Sequence, residues 1–495
     1  MSRTLMIQGT SSNVGKSLLV AAFCRIFARK GLRVFPFKSQ NMALNSFVTS
    51  EGLEIGRAQA LQATAAKRDA EVAMNPVLLK PEGNSSSQVV LMGKPWRRLS
   101  GGEYYKAKPA LWETITEVLD RAGKENDLLI VEGAGSPAEI NLKEHEIVNM
   151  RVARYLQAPV LLAADIDRGG VFAFLYGTLA LLEPEERELV KGFIINKFRG
   201  DVELLKPGLD MLRNLTGGVP TLGVVPYLKE ISLAQEDSVF LEEHRFFGSG
   251  STEIAVMLLP HISNYDDFDA LTMEPGLQLR FVEHPRELGN PAAIILPGTK
   301  TTMADLLWLR QSGLAEAICR KVEEGTSVIG ICGGFQMLGR QIIDKEGVEG
   351  SAGSLRGLGL LDVTTYFSRE KKTIQETGTL CSDKGTLAPM KGYKVSGYEI
   401  HMGHSALGES AGPFLATGSG GRDGAVSPDG RIIGTYFHGL FDEAAFRRGW
   451  LASLGWEPEG KPVSLVQRRE EELEALADAV EAAIDMKQLE AIIGL

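Results

Sequence analysis

Cys332 sits in Gly330-Ile331-Cys332-Gly333-Gly334-Phe335-Gln336, directly after the apolar run Ser327-Val328-Ile329. A buried strand that runs into a glycine-flanked cysteine and then a helix forces a tight turn, which leaves the sulfur exposed at a helix N-terminus. That setting favours thiolate, and the N–H of Gly333 is placed to donate to an oxyanion formed when the sulfur attacks a carbonyl. A thiol nucleophile also needs a base. His438, in Tyr436-Phe437-His438-Gly439-Leu440-Phe441, follows the strand-like Arg431–Thr435 and supplies one, provided the fold brings the two together. Cys24 and Cys319 lie in helix-like stretches without glycine neighbours and read as core residues, and Cys381 lacks such neighbours too.

A second chemistry lies at the start of the chain. Leu5-Met6-Ile7 reads as a short strand, Leu18 to Ala28 as an apolar helix, and between them stands Gly9-Thr10-Ser11-Ser12-Asn13-Val14-Gly15-Lys16-Ser17. This is the layout of a phosphate-binding loop: backbone N–H groups wrap the phosphates of ATP, Lys16 neutralises the β/γ charge, and the Ser17 hydroxyl holds Mg2+. The first glycine lies one residue earlier than in the usual G-x-x-x-x-G-K-[ST] spacing. Asp127 to Gly135 is a buried-strand pattern that ends in Glu132, the expected second magnesium contact, because ligands meet the carboxyl ends of strands in open α/β sheets. Gly192 to Asp201 is a further strand leading into polar residues at Asn196.

The elements that must position these residues alternate between strand and helix patterns in both halves, which predicts two parallel-sheet α/β domains. The expected partition is an ATP-dependent domain over 1–230, a linker over 231–252, a second domain over 253–447 and a helical tail over 448–495. Residues 350–430 read as β-structure and loops. The tail, with Arg468-Arg469-Glu470-Glu471-Glu472-Leu473, is expected to be an amphipathic helix packed on the outside with its charge run solvated.

The 495 residues exceed what one core usually accommodates, and 44% hydrophobic residues describe a globular chain. No run approaches a membrane span and the N-terminus has no signal-peptide layout, so a cytoplasmic location is expected. Four cysteines, one of them nucleophilic, fit a reducing compartment. A net charge of −10 argues against a general nucleic-acid surface. His401 and His404 are the nearest approach to a metal pair, but no cysteine pair accompanies them. Oligomeric state is not readable.

The G-x-C-x-G-x-Q pattern with its downstream histidine resembles the class I glutamine amidotransferases. The resemblance implies that Cys332 takes the glutamine side-chain amide as a thioester and releases ammonia. It also implies that Leu296-Pro297-Gly298 forms a second oxyanion turn with a donor at Gly298. Most of that family carries a glutamate two residues after the histidine; Leu440 stands there, so the third member of the triad is expected to be missing. The G-T-x-x-x-x-G-K-[ST] loop resembles dethiobiotin synthetase, whose relatives place an adenine-reading asparagine where Asn196 stands.

An ATP site and an ammonia source on one chain define a ligase that activates a carboxylate and amidates it, with an enclosed path expected for the ammonia. Phe37–Ser46, Glu139–Leu142, Asp165–Phe172, Ser263–Leu271, Leu296–Thr302 and Ser396–Gly403 together resemble the cobyric acid synthase family over nearly the whole chain. That resemblance implies ATP- and glutamine-dependent amidation of the b, d, e and g carboxylates of adenosylcobyrinic acid a,c-diamide, with the corrinoid near Asn41 and Asp165. Two alternatives stay open. One is another amidation on the same scaffold, such as the a,c-diamide step or a cell-wall lipid precursor; the other is a regulatory nucleotide-binding protein that only senses glutamine.

Overall fold

The computed structural model describes residues 3–82, 86–229, 231, 245–350 and 352–495. The chain forms two compact units. The first comprises Met1–Ala43, Glu54–Asp237 and Arg469–Leu495, and the second Leu44–Leu53 with Ser238–Arg468. This division departs from a linear partition at two places: a ten-residue excursion near the N-terminus belongs with the second unit, and the end of the tail belongs with the first.

The first unit is built on six strands: β1 (Arg3–Gly9), β2 (Val34–Phe37), β3 (Leu128–Glu132), β4 (Val160–Asp165), β5 (Val190–Phe198) and β6 (Thr221–Pro226). They lie in the order β6-β5-β4-β1-β3-β2, and every neighbouring pair is parallel. A parallel strand is covered on both faces, which explains why Leu5, Met6 and Ile7 in β1 and Leu128 to Val131 in β3 are uninterrupted apolar runs with no exposure. The helix α1 (Lys16–Arg29) follows the first loop and buries Leu19 to Phe27 against the sheet. A smaller four-stranded sheet holds Gln40–Met42 beside Val77–Glu82, Ser86–Leu91 and Lys94–Ser100.

The tail completes this unit's core. Leu473, Leu476, Ala477, Val480, Ile484, Leu489 and Ile493 pack with α1 residues in one cluster, and Asp485 N–H donates to Leu222 O at 2.7 Å. The charge run is therefore only partly solvated. Arg25, whose side chain has no exposure, pairs with Glu470 at 2.8 Å and Glu474 at 2.7 Å, so two of the run's carboxylates neutralise a buried guanidinium.

The second unit centres on β7 (Phe246–Gly248), β8 (Thr252–Met257), β9 (Leu277–Val282), β10 (Ala293–Leu296), β11 (Ser327–Ile331), β12 (Ala425–Val426) and β13 (Ile432–Thr435). Their order is β7-β9-β8-β10-β11-β13-β12, with the five central strands parallel and both edge strands antiparallel. Most of the expected linker, at 232–244, lies outside the described residues. Its later part does not hang free: Phe246–Gly248 is the edge strand β7. The β-rich stretch expected over 350–430 forms a second sheet around the long antiparallel pair Val363–Leu380 and Lys394–Leu407. No helix among the described residues is long and apolar enough to cross a membrane.

Candidate functional site

In the second unit, β11 ends at Ile331 and the chain turns through Cys332 at φ +51°, ψ −108° into the helix Gly333–Leu338. Such a backbone costs a cysteine on the order of 1–3 kcal/mol, and it persists because the surroundings hold it. Cys332 N–H donates to Thr435 O at 2.8 Å, and Gly334 N–H donates to Pro297 O at 3.1 Å. A Cβ at Gly334 would sit 2.0 Å from Leu296 O, so the glycine after the turn is what lets the Leu296-Pro297-Gly298 turn close in.

β13 and the short strand Phe437–His438 carry the histidine to this turn. His438 is 1% exposed, and the Cys332 sulfur is among the neighbours that act on its imidazole. The Cys332 thiol also points to Ile400 O at 3.8 Å. A Cβ at Gly298 would lie 3.1 Å from His438 Cε1, which sets the second turn directly against the ring. The expected nucleophile, the expected base and both expected oxyanion turns, at Gly298 and Gly333, therefore come together in one unit.

The expected absence of a third member is corrected by the structure. Leu440 is fully buried and takes no polar part, but Asp267 Oδ2 accepts a hydrogen bond from His438 Nδ1 at 2.7 Å, and Asp267 Oδ1 accepts the N–H of Gly439 at 2.8 Å. The carboxylate arrives from the short 3-10 helix Tyr265–Phe268 after β8 instead of from the residues after the histidine. It fixes the tautomer and leaves Nε2 for the sulfur. Burial alone would push the His438 pKa down; the Asp267 charge and hydrogen bond, together with the Cys332 sulfur, outweigh it and raise the pKa to about 10. A shift in this direction favours the imidazolium form of the ring. By contrast, burial pushes the thiols of Cys24, Cys319 and Cys381 up; Cys24 is a core residue as expected, whereas Cys319 is only half-buried.

In the first unit, β1 ends at Gly9, and Thr10, Ser11, Ser12, Asn13, Val14 and Gly15 lead into α1. Gly15 caps the helix at φ +92°, a left-handed backbone that favours glycine, and a Cβ there would meet Asn196 Nδ2 at 2.3 Å. Lys16 Nζ donates to Ser11 O at 2.9 Å and Gly135 O at 3.2 Å, which lays the ammonium across the loop. At the end of β3, Glu132 is 1% exposed. Its Oε1 accepts from Ser17 Oγ at 2.9 Å and from Lys38 Nζ at 2.9 Å, and its Oε2 from Gln62 Nε2 at 2.5 Å. Burial works against the ionised form, but Lys38 and these hydrogen bonds hold the carboxyl below its ordinary range. Ser17 and Glu132 thus present adjoining oxygen donors of the class magnesium takes, and the residues fit that ion.

Two of the remaining expected residues, Asn196 and Asp165, tie into the same loop. Asn196 Nδ2 donates to Val14 O at 2.8 Å, so its amide nitrogen braces the loop. Asp165, at the end of β4, accepts from Lys197 Nζ at 2.8 Å, and the same ammonium donates to Asn13 O at 2.8 Å. Asn41 is buried in the smaller sheet and donates to Gln59 at 3.0 Å. Sequence reasoning missed Asp267, Lys38 and Gln62. Asp267 stood in the quoted Ser263–Leu271 and Lys38 in the quoted Phe37–Ser46, but nothing local singled out one aspartate among Asp266, Asp267 and Asp269.

Two family models match successive stretches of the chain. Residues 5–239 match the CobQ/CobB/MinD/ParA nucleotide binding domain, and residues 253–446 match the CobB/CobQ-like glutamine amidotransferase domain. The chain is 52% identical to a cobyric acid synthase of Dehalococcoides mccartyi, covering 100% of this chain and 99% of that protein. It is 53% identical to one from Sorangium cellulosum over 99% of each, and 50% identical to one from Pelotomaculum thermopropionicum over 100% of this chain and 97% of that one. With a nucleotide-binding loop in one unit, a glutamine-amidotransferase elbow in the other and full-length similarity across both, the chain belongs to the cobyric acid synthase family.

Proposed function

We propose that this chain hydrolyses glutamine at Cys332 and uses the ammonia to amidate the b, d, e and g side-chain carboxylates of adenosylcobyrinic acid a,c-diamide, with ATP as activator, in cobalamin biosynthesis. The observation that carries the reading is the Cys332–His438–Asp267 arrangement on a chain that also holds a phosphate loop and matches cobyric acid synthases end to end.

The Cys332 thiolate attacks the side-chain amide carbon of glutamine, and the oxyanion is received by the N–H groups of Gly333 and Gly298. His438 gives its proton to the departing nitrogen as the C–N bond breaks, and Asp267 keeps the ring in register for the transfer. The neutral imidazole then takes a proton from water, which attacks the thioester; the C–S bond breaks and glutamate leaves. In the other unit, the loop from Gly9 to Ser17 and the Lys16 ammonium hold the triphosphate. Ser17 and Glu132 would hold magnesium, which neutralises phosphate charge when bound. A corrinoid carboxylate oxygen takes the γ-phosphoryl group of ATP as ADP leaves, giving an acyl phosphate; ammonia then attacks the acyl carbon, and phosphate departs with one of its protons to leave the amide. Asn41 and Asp165 are proposed to lie on the corrinoid side of the loop, with Asn196 bracing the loop.

Incubating adenosylcobyrinic acid a,c-diamide with ATP, magnesium and glutamine and following masses over time tests this. The expected result is a ladder ending at four added amides. Amidation only of cobyrinic acid, at a and c, would overturn the acceptor assignment.

A further inference from the structure

The ten residues Leu44–Leu53 leave the first unit after Ala43, form part of the second unit and return at Glu54. Within the second unit they are tied down at several points. Thr49 N–H bonds Leu53 O at 2.8 Å to close a turn, Gln375 Nε2 donates to Val48 O at 2.8 Å, and Val48 packs with Tyr398 and Ile400 in a small buried cluster. Ser46 makes the contact that matters for chemistry. Its carbonyl accepts from the Tyr398 hydroxyl at 3.2 Å and from Asn264 Nδ2 at 3.3 Å, while Asn264 Nδ2 also donates to the Tyr398 oxygen at 2.7 Å.

Tyr398 is 5% exposed, and its ring lies on the His438 imidazole with centroids 5.2 Å apart and planes 19° from parallel. Asp267 fixes His438 at one atom, Nδ1, and a single hydrogen bond leaves the ring able to rock about that bond. A phenol ring stacked on its face removes that freedom, provided the phenol is itself held. Asn264 and Ser46 hold it by its oxygen. Asn264 takes a left-handed backbone, φ +54°, to do so, and lies on the same loop as Asp267. An asparagine tolerates that conformation better than most residues.

We propose that Tyr398 is a positioning residue for His438, and that the Ser46 carbonyl of the Leu44–Leu53 excursion, with Asn264, sets where Tyr398 stands. Glutamine hydrolysis is then governed by a segment whose two ends are continuous with the nucleotide-binding unit. The inference rests on the reading of Cys332 and His438 as a glutaminase pair and deepens it; it does not depend on which acceptor is amidated.

The test measures glutamine hydrolysis by the full-length parent, Tyr398→Phe, Asn264→Ala and the double variant. Tyr398→Phe keeps the stacked ring and removes the hydroxyl, so kcat is expected to fall about tenfold, equal to about 1.4 kcal/mol of barrier, with the KM for glutamine within about twofold. Asn264→Ala should do the same, and the double variant should be no worse than the weaker single one, since both cut one connection. Ammonium-driven amidation and thermal unfolding of each variant report that the chain is folded. Parent kcat in Tyr398→Phe, a rise in KM with kcat unchanged, or additive losses in the double variant would each overturn the inference. A parent that hydrolyses glutamine but amidates no corrinoid overturns only the acceptor assignment. A parent that hydrolyses none overturns the site reading and this inference together.

Discussion

At the scale of single residues, the chemistry depends on a proton held in the right place. Asp267 bonds His438 Nδ1 at 2.7 Å in a pocket where both side chains are 1% exposed, so its charge is poorly screened. Asp267→Asn preserves the shape and removes the charge, and glutamine hydrolysis is expected to fall on the order of 10²-fold in kcat, less than for a serine triad because the thiol is the more acidic nucleophile. Steady-state assays of ammonia release check it. The same pair links stability to pH. The folded-state pKa of His438 is raised from 6.5 to about 10, so the pair's contribution is fully present below pH 6.5 and is lost as pH rises through about 10. The gap in unfolding free energy between the parent and His438→Ala should therefore narrow between pH 6.5 and pH 10.5 in denaturant titrations. Cys332 and His438 were legible in the sequence because glycines and a strand-to-helix turn surround one and a strand end precedes the other. Asp267 was not, since its role depends on a loop folding back onto a histidine distant in sequence, and the expected position after His438 is taken by a core leucine.

Elements carry the next level of the argument. The phosphate loop was legible because its glycines, lysine and serine lie in one short run between a strand and a helix. Gly15→Ala places a methyl group 2.3 Å from Asn196 Nδ2 at a backbone φ of +92°, so nucleotide binding should be lost and the first unit destabilised by about 1–3 kcal/mol. Isothermal titration with ATP and thermal unfolding read the two effects separately. The C-terminal helices were half legible. Their amphipathic period showed an apolar stripe, but a stripe does not name the surface that it covers. Here it covers α1, and the acidic residues beside it reach Arg25. Removing residues 469–495 takes Leu473, Leu476, Val480, Ile484, Leu489 and Ile493 out of the core. At about 1.5–3 kcal/mol for each buried side chain, the loss matches the whole stability of a domain. The truncated chain is expected to lose ATP binding and cooperative unfolding of the first unit, as followed by calorimetry.

For the whole molecule, the central claim is that one chain draws nitrogen from glutamine at Cys332 and delivers it to a carboxylate activated at the phosphate loop. A nucleotide-binding domain followed by a glutamine amidotransferase domain was legible from motifs in the sequence. The excursion Leu44–Leu53 and the return of the C-terminal helices to the first unit were not, because periodicity describes an element and not its neighbour in space. Lys16→Ala should abolish amidation with either nitrogen source, as carboxylate activation fails in both cases. The most direct test supplies glutamine labelled with 15N in its side-chain amide to the parent and to Cys332→Ser, with ATP, magnesium and adenosylcobyrinic acid a,c-diamide, in parallel with ammonium salt. The account expects label in the corrinoid amides of the parent, none from glutamine in Cys332→Ser, and full amidation of that variant by ammonium. Transfer of the glutamine label to the corrinoid by Cys332→Ser would contradict it.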